Sequence, residues 1–289
     1  MATWSAPGKV FLFGEHAVVY DKPGLAMAIK PRILVSVRRH RHPAPAKSPY
    51  IAQCFRELGV TGSVYVSSQM PSSAGLGSSA AVSVATISAA NDEFSLGLER
   101  EEIAAMAHRV EQVVQKGRAS PTDTYVSTMG GLVLIMDGTR RRLPPVNLNL
   151  VVGNTQVSHS TSQLVELVAE ERSARPGVIC PILDAIGALT LEGVRRLDDP
   201  KALGKLMDTN HALLDAIGVG HPALSKLVLA ARAAGAFGAK LTGAGGGGCM
   251  IALSPKAGKN RIAGALDGAG GRAFVTSLDT VGARKEQDV

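Results

Sequence analysis

The segment Pro71-Ser72-Ser73-Ala74-Gly75-Leu76-Gly77-Ser78-Ser79-Ala80-Ala81 constrains this chain more than any other. Glycines at 75 and 77 let the backbone turn tightly and approach a ligand with no Cβ in the way. The stretch 78–90 then carries Ala, Val and Ile on every side, and a helix apolar all round is a buried helix. Opening straight from a glycine turn, such a helix presents unpaired N–H groups and a positive dipole end, a cradle for phosphate. Ser78 and Ser79 add hydroxyls that can bind phosphate or magnesium. Two other readings stay open on these residues alone. The serine pair suits a plain helix cap. Gly75-x-Gly77-x-x-Ala80 also fits the dinucleotide fingerprint of an oxidoreductase, with Asp92 and Glu93 near the ribose-binding distance. That motif, however, opens a βαβ unit at the first strand, and here several strand-like runs precede it. No GxxxxGK[ST] occurs, so this is not a Walker A loop.

Around that loop the chain reads as strands and helices mixed without strict alternation, an α+β class. Strand-like runs fall at 9–13, 33–38, 63–68, 131–136 and 148–152, and again at 239–242, 249–253 and 273–278. Ile103, Met106, Ala107, Val110, Val113 and Val114 repeat at helical spacing, with Glu99, Glu101 and Glu102 at the positive end of that helix. The second half reads as mostly helical, at 160–172, 179–197, 200–217 and 222–234. Pro144-Pro145 marks the boundary between halves, giving domains 1–145 and 146–289.

Composition narrows the function classes. The 289 residues are 45% hydrophobic and 19% charged, a globular balance. No run reads as the ~18 apolar residues of a bilayer span. Met1-Ala2-Thr3-Trp4-Ser5 lacks the basic segment and apolar core of a secretion signal, so the expectation is a cytoplasmic protein with no membrane partner. Cys54, Cys180 and Cys249 are far apart, form no CxxC, and read as small buried residues. The net charge of +7 is concentrated at Lys30, Arg32, Arg38, Arg39, Arg41 and Lys47, which read as a solvated strand end. None of the few aromatic residues interleaves with that cluster, so no nucleic-acid platform is expected.

The phosphate loop resembles that of the GHMP kinases, and two further segments match the same family in the same order. One is Ala6-Pro7-Gly8-Lys9-Val10-Phe11-Leu12-Phe13-Gly14-Glu15-His16-Ala17-Val18-Val19-Tyr20; the other is Lys240-Leu241-Thr242-Gly243-Ala244-Gly245-Gly246-Gly247-Gly248-Cys249. Within the family the first motif resembles the mevalonate kinases, where galactokinases continue Glu-His with Thr-Asp; the length is similar to the archaeal short forms. The resemblance implies a two-lobe α+β fold with its active site in the cleft between the lobes. It implies transfer of phosphate from Mg-ATP to (R)-mevalonate in isoprenoid biosynthesis, by a homodimer.

Residue by residue, the resemblance makes Asp123 the base that accepts the hydroxyl proton and sets Lys9 beside the reacting groups. Residues 71–81 would hold the ATP phosphates. Ser79 and Glu111 would hold Mg²⁺, and Glu15, His16 and Thr161 would contact substrate. By spacing alone Glu111 reads as a rim glutamate of an amphipathic helix, and Ser120-Pro121-Thr122-Asp123 as a turn or helix cap. The glycine run 243–248 reads as close packing against the phosphate loop, with backbone N–H groups to lend. The chain also departs from the family's pattern. Pro121 stands for glycine, Thr124 follows Asp123 in place of Asn, and His159 stands where relatives carry arginine. Glu111 and Asp123 are one residue further apart than expected, as if by an insertion near Lys116. The competing functions are a GHMP kinase for phosphomevalonate, homoserine or a sugar, and an inactive GHMP-fold sensor.

Overall fold

The computed structural model describes residues 1–41, 46, 48–71, 75–117, 119–158 and 160–287. Lys47, His159 and three residues of the expected phosphate loop, Ser72, Ser73 and Ala74, lie outside the described residues.

Two antiparallel sheets carry the chain. The first runs β10-β1-β2-β4-β5, with β3 also paired to β2. Its strands are β1 (Ala2–Phe13), β2 (Gly24–Arg39), β3 (Gly62–Ser68), β4 (Leu132–Met136), β5 (Thr139–Leu143) and β10 (Arg284–Lys285). The second sheet runs β7-β8-β6-β9, from β6 (Asn149–Asn154), β7 (Gly238–Leu241), β8 (Cys249–Leu253) and β9 (Arg272–Ser277). Helices α1 (Pro49–Leu58), α2 (Ser78–Phe94), α3 (Arg100–Val114) and α4 (Pro121–Met129) precede β4. Helices α5 (Thr161–Ala174), α6 (Pro176–Arg195), α7 (Pro200–Ala216) and α8 (Pro222–Ala233) follow β6, and α9 (Lys259–Gly268) joins β8 to β9. This is the expected α+β class.

Strand pleating decides which core each residue joins. In β6, Leu150 and Val152 enter the main core with Leu12, Phe13 and the α2 residues Val84 and Ile87, so that core touches both sheets. Val151, facing the other way, enters a second core under α6, α8 and α9. In β1, Val10 and Leu12 face the main core, while Phe11 turns to Val126 of α4. Helix α2 is buried along almost its whole length, as its composition requires.

Helix starts follow local chemistry. The Ser120 hydroxyl accepts the Thr122 N–H at 3.2 Å and Pro121 opens α4, so the expected cap is there and a nine-residue helix stands behind it. The Asp199 carboxylate caps α7 ahead of Pro200, and His221 Nδ1 caps α8 ahead of Pro222.

Two expectations need correction. Arg32 is not part of a solvated strand end: its guanidinium is buried against Asp279 and donates to Ser5 O and Gly282 O. A buried arginine must be paired, and its partner comes from the far end of the chain. Secondly, α6 has the length and apolar composition of a bilayer span, although no apolar run of that kind was read from the sequence. Its buried residues Ile179, Leu183, Ile186 and Gly187 fall on one face, and that face packs on the body of the fold.

The last strand returns to the first. β10 pairs β1 through Trp4 and Lys285, and the Ala283 N–H reaches Thr128 O at the end of α4 at 2.9 Å. Arg100 donates to the same carbonyl, and the Gly131 N–H donates to Asp279 O at 2.7 Å.

Candidate active site

A cavity of about 1130 Å³ is lined from both halves of the chain, large enough for a nucleotide and a small second substrate. Lys9, Gly75, Gly77, Ser78, Ser79, Glu111 and Asp123 line it from the first half; Thr161, Gly243 and Ala244 line it from the second.

Lys9 and Asp123 meet there. Pleating of β1 sets Lys9 on the same side as Phe11, and its ammonium lies 4.4 Å from the Phe11 ring centre. Asp123 sits in the first turn of α4 with Oδ1 3.1 Å from Lys9 Nζ. The lysine is buried while the aspartate is a quarter exposed, so the carboxylate faces the cavity.

The start of α2 faces the same space. Gly77 is its N-cap in the left-handed region (φ 71°), and no side chain caps the helix. The serine pair therefore does not serve as a cap. A Cβ on Gly77 would lie 3.0 Å from Lys9 Cγ, so this position needs glycine for its φ and for the approach of Lys9. The first-turn N–H groups of α2 remain available to an anion.

Glu111 is buried, and its Oε1 has no hydrogen-bond partner. Burial pushes its carboxyl up to about 7, helped by the nearby Asp123 charge and opposed by Ser79 hydrogen bonding and the Lys9 charge. Between Glu111 and Asp123 the chain turns at Lys116 and Gly117, both with positive φ. Both carboxylates line the cavity.

The glycine run does pack on the phosphate loop: a Cβ on Gly243 (φ 81°) would come within 3.3 Å of Gly75 O. Not all its N–H groups are free, since Gly246 donates to Val219 O and Gly248 to Val157 O. The Ala244 carbonyl bonds His16 Nε2 at 2.8 Å, and burial lowers the His16 pKa.

Glu15 lines the same cavity, and the structure adds what holds it there. Its carboxylate is in a buried ion pair with Lys240 and also accepts from Asn210 Nδ2 at 3.2 Å. This network was not legible in the sequence; the one signal is a lysine inside the apolar strand β7. His211 sits beside it, with Nδ1 accepting the Leu241 N–H at 3.4 Å. Burial lowers the His211 pKa to about 4. Its unfolded value, near 6.5, lies above that, so between the two the unfolded chain binds a proton that the folded one refuses. The contribution is intact above pH 6.5 and is lost as pH falls toward 4, by roughly 3 kcal/mol. Urea unfolding at pH 7 and pH 4.5 should show this loss, and His211→Gln should reduce the difference.

This cavity, with an uncapped helix start, a lysine–aspartate pair and a glycine turn behind them, has the parts that phosphoryl transfer calls for. The chain belongs to the GHMP kinase family: the model of the GHMP kinases N terminal domain matches residues 47–131, and that of the GHMP kinases C terminal region matches residues 190–272. Within the family it is 42% identical to the mevalonate kinase of Pyrococcus abyssi, over 98% of this chain and 97% of that one. The crystal structure of Methanococcus jannaschii mevalonate kinase superposes with a TM-score of 0.84 at 27% identity, covering 96% of this chain and 98% of the other. L. major mevalonate kinase in complex with R-mevalonate gives a TM-score of 0.84 at 24% identity, covering 97% and 96%, which speaks to the fold.

Proposed function

We propose that the protein transfers the γ-phosphoryl group of ATP to the C5 hydroxyl of (R)-mevalonate. The observation that carries this reading is the Lys9–Asp123 pair, set in the cavity that the uncapped start of α2 also faces. The N–H groups of α2, with Gly75, Gly77 and Ser78, hold the β- and γ-phosphates. Asp123 accepts the C5 hydroxyl proton as that oxygen bonds to the γ-phosphorus. The bond from phosphorus to the β–γ bridging oxygen breaks, and ADP leaves. Lys9 fixes the Asp123 carboxylate and offsets charge on the transferring group. His16 and Thr161, and Glu15 through its place in the cavity wall, are the substrate-binding set.

The residues present fit a magnesium ion. Glu111 Oε1 is a buried acceptor with no partner, and the Ser79 hydroxyl lies beside it. No cluster of three or more His, Cys, Asp or Glu among the described residues could hold a metal alone. One carboxylate and one hydroxyl, completed by phosphates and water, is the kind of donor set Mg²⁺ takes. When bound, the ion would neutralise charge on the phosphates.

The cavity also speaks to the substrate. Lys9 is the only lysine or arginine among the described residues that line it. A phosphorylated alcohol such as phosphomevalonate calls for a second cationic cradle, which that lining does not offer. We further take the protein to be cytoplasmic and homodimeric.

ADP release from Mg-ATP, with mevalonate, phosphomevalonate, homoserine and galactose offered separately, tests the reading. Turnover on mevalonate alone is expected. Turnover on another alcohol keeps the kinase and overturns the substrate, and silence on all four with ATP still bound leaves a sensor.

A further inference from the structure

Among the described residues strand β3 is an edge with no device against pairing. Among the described residues its one partner is β2, and the ladder between them runs from Gly62 to Ser68 without a bulge. The strand carries no charge and no proline, while Tyr65 is 69% and Val66 47% exposed. The other two edges of the same sheet are charged, β5 with Arg140, Arg141 and Arg142 and β10 with Arg284 and Lys285. An edge without charge, proline or bulge is what protein sheets otherwise avoid.

Its sequence fits one partner. Ser63-Val64-Tyr65-Val66-Ser67 reads the same in both directions. Antiparallel pairing with a second copy, centred on Tyr65, would therefore set like against like about a two-fold axis, as an isologous interface requires. The backbone has the matching parity. His40 donates to Thr61 O and Gln69 donates to Arg32 O, so the odd-numbered positions of this stretch bond inward to β2. In an antiparallel ladder the alternate positions then turn their N–H and C=O outward, which frees Val64 and Val66. Centred on Tyr65, Val64 meets the partner's Val66 as a hydrogen-bonded pair, and Val66 meets the partner's Val64 likewise. The two tyrosines face each other as a close non-hydrogen-bonded pair. We propose that β3 is the dimer surface of this protein, joining the first sheets of two copies into one continuous antiparallel sheet.

Sedimentation equilibrium of the full chain, wild type and Tyr65→Lys, tests this. The side chain of Tyr65 is exposed, so the fold should survive; an unchanged circular dichroism melt of the variant at low concentration checks that. Two ammonium groups set face to face across the axis should weaken the dimer by about tenfold or more, through like-charge repulsion and loss of the tyrosine pair. As a positive test, a non-hydrogen-bonded pair brings Cα atoms to about 4.5 Å, within disulfide reach. Tyr65→Cys should then oxidise to a covalent dimer, while the parent chain does not, since Cys54 and Cys249 are buried and Cys180 is half-buried. A dimer that Tyr65→Lys leaves whole, with no cross-link at 65, overturns this surface alone. A monomer at every concentration overturns the surface and the homodimer together, and neither result touches the kinase reading.

Discussion

Asp123→Asn is expected to lower kcat by about 10²–10⁴, the range a positioned general base supplies, while leaving ATP affinity nearly unchanged. The substitution keeps size and shape, so α4 keeps its Ser120 cap and its place beside Lys9. It removes the negative partner of the lysine and, in the proposed mechanism, the acceptor for the hydroxyl proton. In the proposed mechanism ATP binding draws mainly on the α2 start and its glycine turn, which Asp123 does not form. Steady-state turnover beside calorimetric titration with a non-hydrolysable ATP analogue separates the two effects. Near-normal kcat would take Asp123 out of the mechanism; equal loss of nucleotide binding would make it a structural residue.

The second large effect is on stability. Lys240 and Glu15 are fully enclosed, and Lys240 also donates to Leu241 O. Burial alone lowers the lysine pKa and the Glu15 charge opposes that shift, so the carboxylate is what keeps an ammonium tolerable there. Glu15→Gln strands the cation and is expected to cost about 3–5 kcal/mol in urea unfolding. Replacing both members, Glu15→Gln with Lys240→Met, removes the stranded charge and should recover most of that loss. A double variant no more stable than the single one would show that the pair matters through packing and not through charge.

Much of the fold was legible because local chemistry and tertiary structure agree. Helix α2 is apolar all round and is buried; α5, α7 and α8 begin where Ser160, Pro200 and Pro222 set them. Where the reading fell short, the cause lay far along the chain or in an overlooked turn. Arg32 looks like one of a solvated basic run because its partner Asp279 is 247 residues away. The Glu15 ion pair could not be read locally because Lys240 is 225 residues away. The hairpin of β4 and β5 was missed behind three arginines, yet Asp137-Gly138, both with positive φ, is a common two-residue hairpin turn and was there to be read. Of the candidate site, Lys9, Glu15, His16, Gly75, Gly77, Ser78, Ser79, Glu111, Asp123 and Thr161 line one cavity, while Pro71, Leu76, Ala80 and Ala81 are not part of its lining. Tyr50 and Gln115 also line it, and no motif singles them out.

The return of β10 to β1 also sets a timetable. A chain emerging from the ribosome folds from its beginning, at about 5–20 residues per second. Helix α4, which bears Asp123, appears near the middle, but the Thr128 carbonyl near its end gains the Ala283 N–H only when the chain is almost complete, and Gly131 waits for Asp279. Arg32 is likewise without its buried counter-charge until Asp279 arrives. The nascent first half thus holds α4 without its tie to the last strand and an arginine unmatched. The segment 279–286 is the latch that closes the first sheet, and a half-made enzyme has little means of firing early.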